Sequence, residues 1–429
     1  MTIQNATHQD AINTWFSRRR LGLFLHFGLY AIEGWHEQDQ LRRHIPCDRY
    51  TNQIHQFNPT KFNADHILDL AESVGMEYVC LTTKHHDGFC LWDTRETDFN
   101  IMNSPYGKDL VGELADACHR RDFALGLYYS VADWHHPNYP NLGRHHELAA
   151  PKPGDAPDWN RYLDYLVRQV RELCTNYGEV RHFFWDMNVP GHHAPEINDL
   201  IRRLQPAIAI NNRGFDDGDF GTPERDYDQS ETDRQLRFAR PTEACNSVGS
   251  QSWGCRRNEA YYTPAYLTRQ IDAVFAKGGH YLLNVGPDAA GAMPEQAAQI
   301  LDDIGVWYRQ TQEAFGDAEP ASELTTNRDI LLTRRGSTLY VHAAMPMKTD
   351  SLVLAPIGRP PKQATLLNTG ETLRTTIDLL PTHWQDAAPI LSIRDIPADL
   401  LDGHPLVIRL DFDEPLPATP APSGQEFKG

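Results

Sequence analysis

One pattern limits what this chain can fold into. A short apolar run, a polar loop and an amphipathic helical segment recur some seven times between about residues 20 and 316. Strands separated by helices of this length cannot pair as tight hairpins. They pair in parallel, with helices covering the sheet. The runs are Arg20–Tyr30, Tyr78–Thr82, Ala124–Tyr128, Val180–Asp186, Ala207–Ile210, Thr242–Cys245 and His280–Val285. Between them, residues such as Ile67, Leu68, Ala71 and Val74, closed by Gly75, fall at helical spacing. The expected fold is α/β, a (β/α)8-type barrel. An open doubly wound sheet is the alternative. No Gly-x-Gly-x-x-Gly follows a strand and no P-loop occurs, so the nucleotide-binding reasons for an open sheet are missing.

The pattern changes near Gly316. Ile330–Thr333, Thr338–His342, Ser351–Leu354, Ala364–Leu367 and Leu406–Leu410 are short runs separated by Gly, Pro and Asn. They predict a small antiparallel β-sandwich. The expected organisation is a catalytic domain over 1–316, a β-sandwich domain over 317–413 and a disordered Pro-rich tail over 414–429. With 40 Lys+Arg against 58 Asp+Glu, the net charge is -18. There is no basic surplus to neutralise phosphates, so neither nucleic acid nor a membrane is an expected partner. The polar N-terminus lacks a signal-peptide pattern, and no run is apolar enough to span a bilayer. The seven cysteines are odd in number and form no Cys-x-x-Cys. These features predict a cytoplasmic protein with reduced thiols.

In such a fold the chemistry sits at the C-terminal ends of the strands. His26, then His85 and His86, then Tyr128 and Trp134, then Asp186, then Arg213 all fall there. Each alone reads as an ordinary core or loop residue. Together they collect at one rim. Adjacent histidines in an extended chain point to opposite faces, so His85 and His86 do not readily share an ion. They suit hydroxyl groups better than metal, and no metal is expected. Asp186 ends an aromatic strand, where a carboxylate is costly unless paired or used. Glycoside hydrolysis needs two carboxyl groups, one ionised and one protonated. Asp186 is the candidate nucleophile, and Glu224, Glu243 and Glu37 are candidates for the acid. Glu231 reads as a surface carboxylate.

Several blocks resemble a known family. They are Leu-Gly-Leu-Phe-Leu-His26-Phe-Gly, Lys84-His85-His86-Asp-Gly-Phe, Gly-Leu-Tyr128-Tyr-Ser with Asp133-Trp134, Ser252-Trp253-Gly254, and Gly-Gly-His280-Tyr-Leu-Leu-Asn284-Val-Gly-Pro287. Over about residues 13 to 316 the chain resembles the retaining α-L-fucosidases of glycoside hydrolase family 29. The resemblance implies a catalytic barrel followed by a small β-sandwich, and hydrolysis of terminal α-L-fucosides through a covalent glycosyl-aspartate. It implies Asp186 as nucleophile and fucose contacts at His26, His85, His86, Tyr128 and Arg213. The acid/base position varies across the family, and Glu224 is preferred here to Glu243. Trp35, His36, Glu37, Trp134 and Trp253 are further expected substrate contacts. The expected partner is a fucosylated oligosaccharide or glycoside, and no cofactor is implied. The chain departs from the family pattern at Met187–Pro190, Thr242–Glu243 and His280. An L-galactose-like sugar, a non-catalytic fucose-binding protein and a metal-dependent hydrolase are the competing readings.

Overall fold

In a computed structural model, residues 20–187, 193–225, 236–344, 347, 349–379, 389–397 and 403–416 are described. The first seven strands are β1 (Leu21–Leu25), β2 (Tyr78–Lys84), β3 (Ala124–Ser130), β4 (His182–Asp186), β5 (Ala209–Ile210), β6 (Glu243–Ser247) and β7 (His280–Val285). Their residues are almost all buried, as expected of strands covered on both faces. The helices that follow them are α1 (Ala64–Val74), α2 (Leu110–Arg120), α3 (Trp159–Thr175), α4 (Pro195–Leu204), α5 (Pro264–Ala276) and α6 (Glu295–Thr311). Caps set their ends. The Asn63 side chain accepts from the His66 N–H at the start of α1, and Gly75 ends it at φ 94°, a conformation that favours glycine.

The seven strands form one curled parallel sheet in the order β5-β4-β3-β2-β1-β7-β6. Phe24, Tyr78, Tyr128, Phe184, Ala209, Cys245 and Leu282, one from each strand, meet in a single core cluster inside the curl. Gly22 permits this. A Cβ there would collide with the Tyr78 ring, which crosses the interior so that its hydroxyl donates to Glu243 Oε2 at 2.7 Å. His182 Nε2 meets Glu243 Oε1 at 2.9 Å. Tyr78, His182 and Glu243 lie on β2, β4 and β6, so alternate strands supply one interior layer.

Among the described residues the sheet has seven strands, one fewer than the expected barrel. β5 and β6 are its edges, and residues 219–225 bond to both. The Asp219 N–H donates to Ile210 O at 2.6 Å and the Asn212 N–H to Phe220 O at 2.9 Å. Across from these, the Glu243 N–H donates to Gly221 O at 2.9 Å and the Arg225 N–H to Cys245 O at 3.0 Å.

The described chain divides into two compact units. One holds residues up to 225 with 240–262 and 280–302; the other holds 236–239, 263–279 and the rest from 303. The second unit carries two antiparallel sheets. Their strands are β8 (Glu319–Pro320), β9 (Leu331–Arg335), β10 (Thr338–Ala343), β11 (Leu352–Leu354), β12 (Gln363–Leu366), β13 (Glu371–Thr372), β14 (Arg374–Asp378), β15 (Ile390–Arg394) and β16 (Leu406–Asp411). The orders are β13-β12-β16-β10-β9-β8 and β11-β15-β14. Leu339, Val341 and Ile408 of the larger sheet share one core with Leu354, Leu391 and Ile393 of the smaller. Five strands match the expected runs. β8 and β13 are too short to signal themselves, and β14, Arg-Thr-Thr-Ile-Asp, has a single apolar residue. Residues 417–429 of the expected tail lie outside the described residues. So do Glu231 and Asn188–Pro190.

Candidate active site

The C-terminal ends of β1 to β4 open into a cavity of about 800 Å³. His26, His36, Glu37, His85, His86, Tyr128, Asp186, Arg213, Glu224 and Trp253 all line it. Parallel pairing explains the convergence. Ser130 of β3 stands level with Asp186 of β4, and Leu25 of β1 with Val285 of β7, so the strands end on one level.

Asp186 accepts a hydrogen bond from the Tyr128 hydroxyl at 2.7 Å, and His86 Nε2 lies 3.9 Å from the same oxygen. Its other oxygen faces Arg213 Nη1 at 3.4 Å and accepts from the Met187 N–H at 3.0 Å. Burial would raise the carboxyl, but the Arg213 guanidinium and the Tyr128 hydroxyl oppose it, and the carboxyl lies below the usual value. Met187 reaches that contact with φ 60°, a left-handed backbone that is costly for a side chain of its size. Arg213 Nη1 also pairs with Glu224 Oε2 at 2.9 Å, while Arg213 Nε and Nη2 donate to Thr222 at 2.8 and 2.9 Å. One fixed guanidinium thus holds both carboxylates.

The histidines have readable tautomers. Asn284 Nδ2 donates to Trp253 O at 2.7 Å, so its Oδ1 accepts, and His26 Nδ1 donates to it at 2.7 Å. The Ser130 hydroxyl donates to Ala132 O, so it accepts from His86 Nδ1 at 2.7 Å. Both rings therefore keep Nε2 as an acceptor. Burial lowers each to about 4, so both are neutral near pH 7. His85 is lowered further, again by burial first, and lies parallel to the Tyr128 ring at 5.7 Å. Among the described residues its buried Nδ1 has no partner, a cost that a polar group entering the cavity would relieve.

Glu37 Oε2 accepts from the Ser252 hydroxyl and the Trp253 N–H, both at 2.8 Å. Burial opposes its charge, but His36 and backbone N–H donors, that of Trp253 among them, lower its carboxyl. It joins the loop after β1 to the Trp253 loop, and Trp253 stacks on His26 at 5.1 Å.

Three expected residues lie outside the lining. Glu243 begins β6, wholly buried in the interior layer with Tyr78 and His182. Trp35 lies between the Arg43 and Arg256 guanidinium groups at 5.7 and 5.6 Å. Trp134 is buried behind His86, its Nε1 donating to His146 O at 2.8 Å. Other residues were not expected. Arg225 lines the cavity with its guanidinium 4.6 Å over Trp253. Gln38, Arg42, Arg144, His145 and His146 line it too. Their only signal is position: they sit in long polar loops after strands, where function collects. Lys84, beside the histidine pair, is buried 3.0 Å from Asp133. Among the described residues no group of three or more His, Cys, Asp or Glu is arranged to hold a metal ion. Nor is any helix long and apolar enough to cross a membrane.

A parallel sheet whose strand ends bring paired carboxylates, neutral histidines and tryptophan into one cavity defines a glycoside hydrolase. The chain belongs to the alpha-L-fucosidase family, which it matches over residues 2–313. It is 26% identical over 336 residues to a putative alpha-L-fucosidase of Caenorhabditis elegans, covering 72% of this chain and 67% of that one. Its identity to tissue alpha-L-fucosidase of Homo sapiens is 26%, over 76% and 74% of the two chains. Among solved structures, alpha-L-fucosidase isoenzyme 1 from Paenibacillus thiaminolyticus superposes with a TM-score of 0.83 at 31% identity, covering 95% of this chain and all of that one. A trapped covalent intermediate of an alpha-L-fucosidase from Bacteroides thetaiotaomicron, with 2-fluoro-fucosyl fluoride, gives 0.75 at 25% identity over 94% and 96%.

Proposed function

We propose that Asp186 is the nucleophile and Glu224 the acid/base of a retaining, exo-acting α-L-fucosidase. The observation that carries this reading is the Arg213 bridge. Its Nη1 lies 3.4 Å from an Asp186 oxygen and 2.9 Å from a Glu224 oxygen, so those oxygens are no further apart than the sum of the two distances. That bound applies to one oxygen of each carboxyl group in a catalytic pair, whose spacing distinguishes inverting from retaining enzymes. It accommodates the roughly 5–5.5 Å of retaining ones.

Glu224 protonates the glycosidic oxygen as Asp186 attacks the anomeric carbon, giving a fucosyl ester on Asp186 and the free aglycone. Glu224 then removes a proton from water, which displaces the ester and releases fucose. His26 and His86 accept from sugar hydroxyls through Nε2, and His85 Nδ1 gains a partner. Tyr128 orients the nucleophile. Trp253 and Glu37 build the wall behind the sugar, with His36 beside them. The family supports a fucosylated oligosaccharide or glycoside as substrate. Glu243 is the weaker candidate for the acid, because Tyr78 and His182 occupy both its oxygens.

The bonds of residues 219–225 to both sheet edges support closure as a (β/α)8-type barrel. The shared core supports reading the two antiparallel sheets as a β-sandwich. Domains over 1–316 and 317–413 follow from that reading. The seven free cysteines support a reducing, cytoplasmic location.

The test is a 2-fluoro-fucosyl trapping reagent followed by peptide mass analysis, with azide rescue of Glu224→Ala on an activated aryl fucoside. A label on Asp186 and formation of fucosyl azide are expected. A label elsewhere, or rescue at Glu243→Ala and not at Glu224→Ala, removes these assignments.

A further inference from the structure

Glu224 stands on a segment that the sheet holds at single points. Its two chain neighbours both meet one residue of β6: the Cys245 N–H donates to Pro223 O and the Arg225 N–H to Cys245 O, each at 3.0 Å. The Glu224 carboxylate pairs with Arg213 Nη1, and Arg213 is itself fastened to Thr222, two residues earlier. A group that protonates a leaving oxygen must be held to within about 0.5 Å of its working place.

Arg225 supplies a further hold. Its side chain reaches the loop after β6, where Nη1 donates to Ser250 O at 3.1 Å and to Gly249 O at 3.4 Å. The guanidinium lies 4.6 Å over the Trp253 ring. That loop is anchored in turn, because Trp253 stacks on His26 and its N–H donates to Glu37. The Arg225 backbone has φ 51°, a left-handed conformation that is costly for any residue with a side chain and persists where its surroundings impose it. In an extended chain consecutive side chains point to opposite faces. With the turn at Arg225, Glu224 and Arg225 both line the cavity.

We infer that Arg225 is a positioning residue for proton transfer: it braces the Glu224 segment against the Gly249–Trp253 loop and so sets where the Glu224 carboxyl meets the glycosidic oxygen. The inference rests on reading Glu224 as the acid/base. Without the brace the sugar keeps its histidine contacts, but the carboxyl is misplaced. A displacement of about 1 Å costs up to roughly 100-fold in rate.

The experiment compares phenyl α-L-fucoside, whose leaving group needs a proton, with dinitrophenyl α-L-fucoside, whose phenolate departs without one. kcat/KM, which reports the step that releases the aglycone, is measured for the full chain and for Glu224→Ala, Arg225→Met, Arg225→Gly and Arg225→Lys. The readout is the phenyl-to-dinitrophenyl ratio. Both substrates share the fucosyl group, so an effect on sugar binding or on the fraction of folded protein cancels. Arg225→Met is expected to lower the ratio about tenfold or more, in the same direction as Glu224→Ala. Arg225→Gly accepts the left-handed backbone but lacks the side chain, so a like fall is expected there. Arg225→Lys, still able to donate to Ser250 O, is expected to keep part of the ratio. A ratio that Glu224→Ala lowers, and that Arg225→Met and Arg225→Gly leave at the native value, overturns the brace and leaves Glu224 as the acid. A ratio unmoved by Glu224→Ala removes the acid assignment and the inference with it.

Discussion

Asp186 keeps its charge in a buried setting because the Arg213 guanidinium and the Tyr128 hydroxyl face it. Replacing it by Ala removes the bond-forming atom, so kcat/KM on an aryl α-L-fucoside is expected to fall at least about 10³-fold. An unchanged thermal transition in the same variant would show that the loss is chemical. The neutral histidines predict the acid limb of the pH profile. His26 and His86 gain protons only near pH 4 and then lose their Nε2 acceptors. The limb attributable to them is expected near 4 rather than near the ordinary histidine value of about 6.5. A limb at 6.5 that disappears on replacing either ring would contradict this. Asp87 runs the other way. Burial raises its carboxyl to about 6, although the Tyr50 hydroxyl and the Phe89 N–H partly oppose the rise. The folded state then holds more protons than the unfolded one between pH 4 and 6. Stability is expected to fall as pH rises through that window, by up to about 3 kcal/mol, and to level off above it. Denaturant midpoints for the native chain and Asp87→Asn test the sign; a native curve no steeper than that of the variant refutes it.

At the scale of elements, strand ends were legible in the sequence and loop contacts were not. His26, His85, His86, Tyr128 and Asp186 close apolar runs, and hydrophobic periodicity locates such runs. The partners that organise them come from far along the chain: Glu37 reaches Ser252, Gln38 reaches His146, and Lys84 reaches Asp133. No local pattern encodes those pairings. Glu243 shows the opposite failure. A carboxylate next to a strand reads the same whether it faces a cavity or an interior layer, and only Tyr78 and His182 distinguish the two. The Lys84–Asp133 pair also has an energetic consequence. Asp133 Oδ1 caps the His135 and His136 N–H groups, so the pair fixes the turn that carries Trp134 behind His86. Lys84→Met strands a buried carboxylate and is expected to cost about 3–5 kcal/mol. Adding Asp133→Asn should recover much of that in chemical denaturation, and a double variant as unstable as the single one would argue against the pair.

Over the whole molecule, the boundary near Gly316 marks a change in sequence pattern, but compactness follows other lines. Helix α5 groups with the second unit, where Asp272 meets His342 Nδ1 at 2.9 Å. His342 Nε2 meets Thr333 Oγ1 at 2.9 Å, and both members of the Asp272–His342 pair are fully buried. A chain cut after residue 316 keeps Asp272 and loses His342. It is expected to be insoluble or to lose cooperative unfolding, as measured by circular dichroism on heating. A soluble, cooperatively folding 1–316 fragment would show that α5 needs no such partner.

The segment 219–225 adds a consequence in time. β1 to β4 exchange extended ladders, broken by one register shift at Thr82–Lys84, whereas 219–225 reaches its neighbours through scattered single bonds. Thr222, Glu224 and Arg225 stand there, beside the guanidinium that joins the carboxylates. In native-state hydrogen exchange its amides should open more often than those of β2 and β3. The acid side of the site would then breathe while the nucleophile side stays still, giving the departing aglycone a route that leaves Asp186 undisturbed.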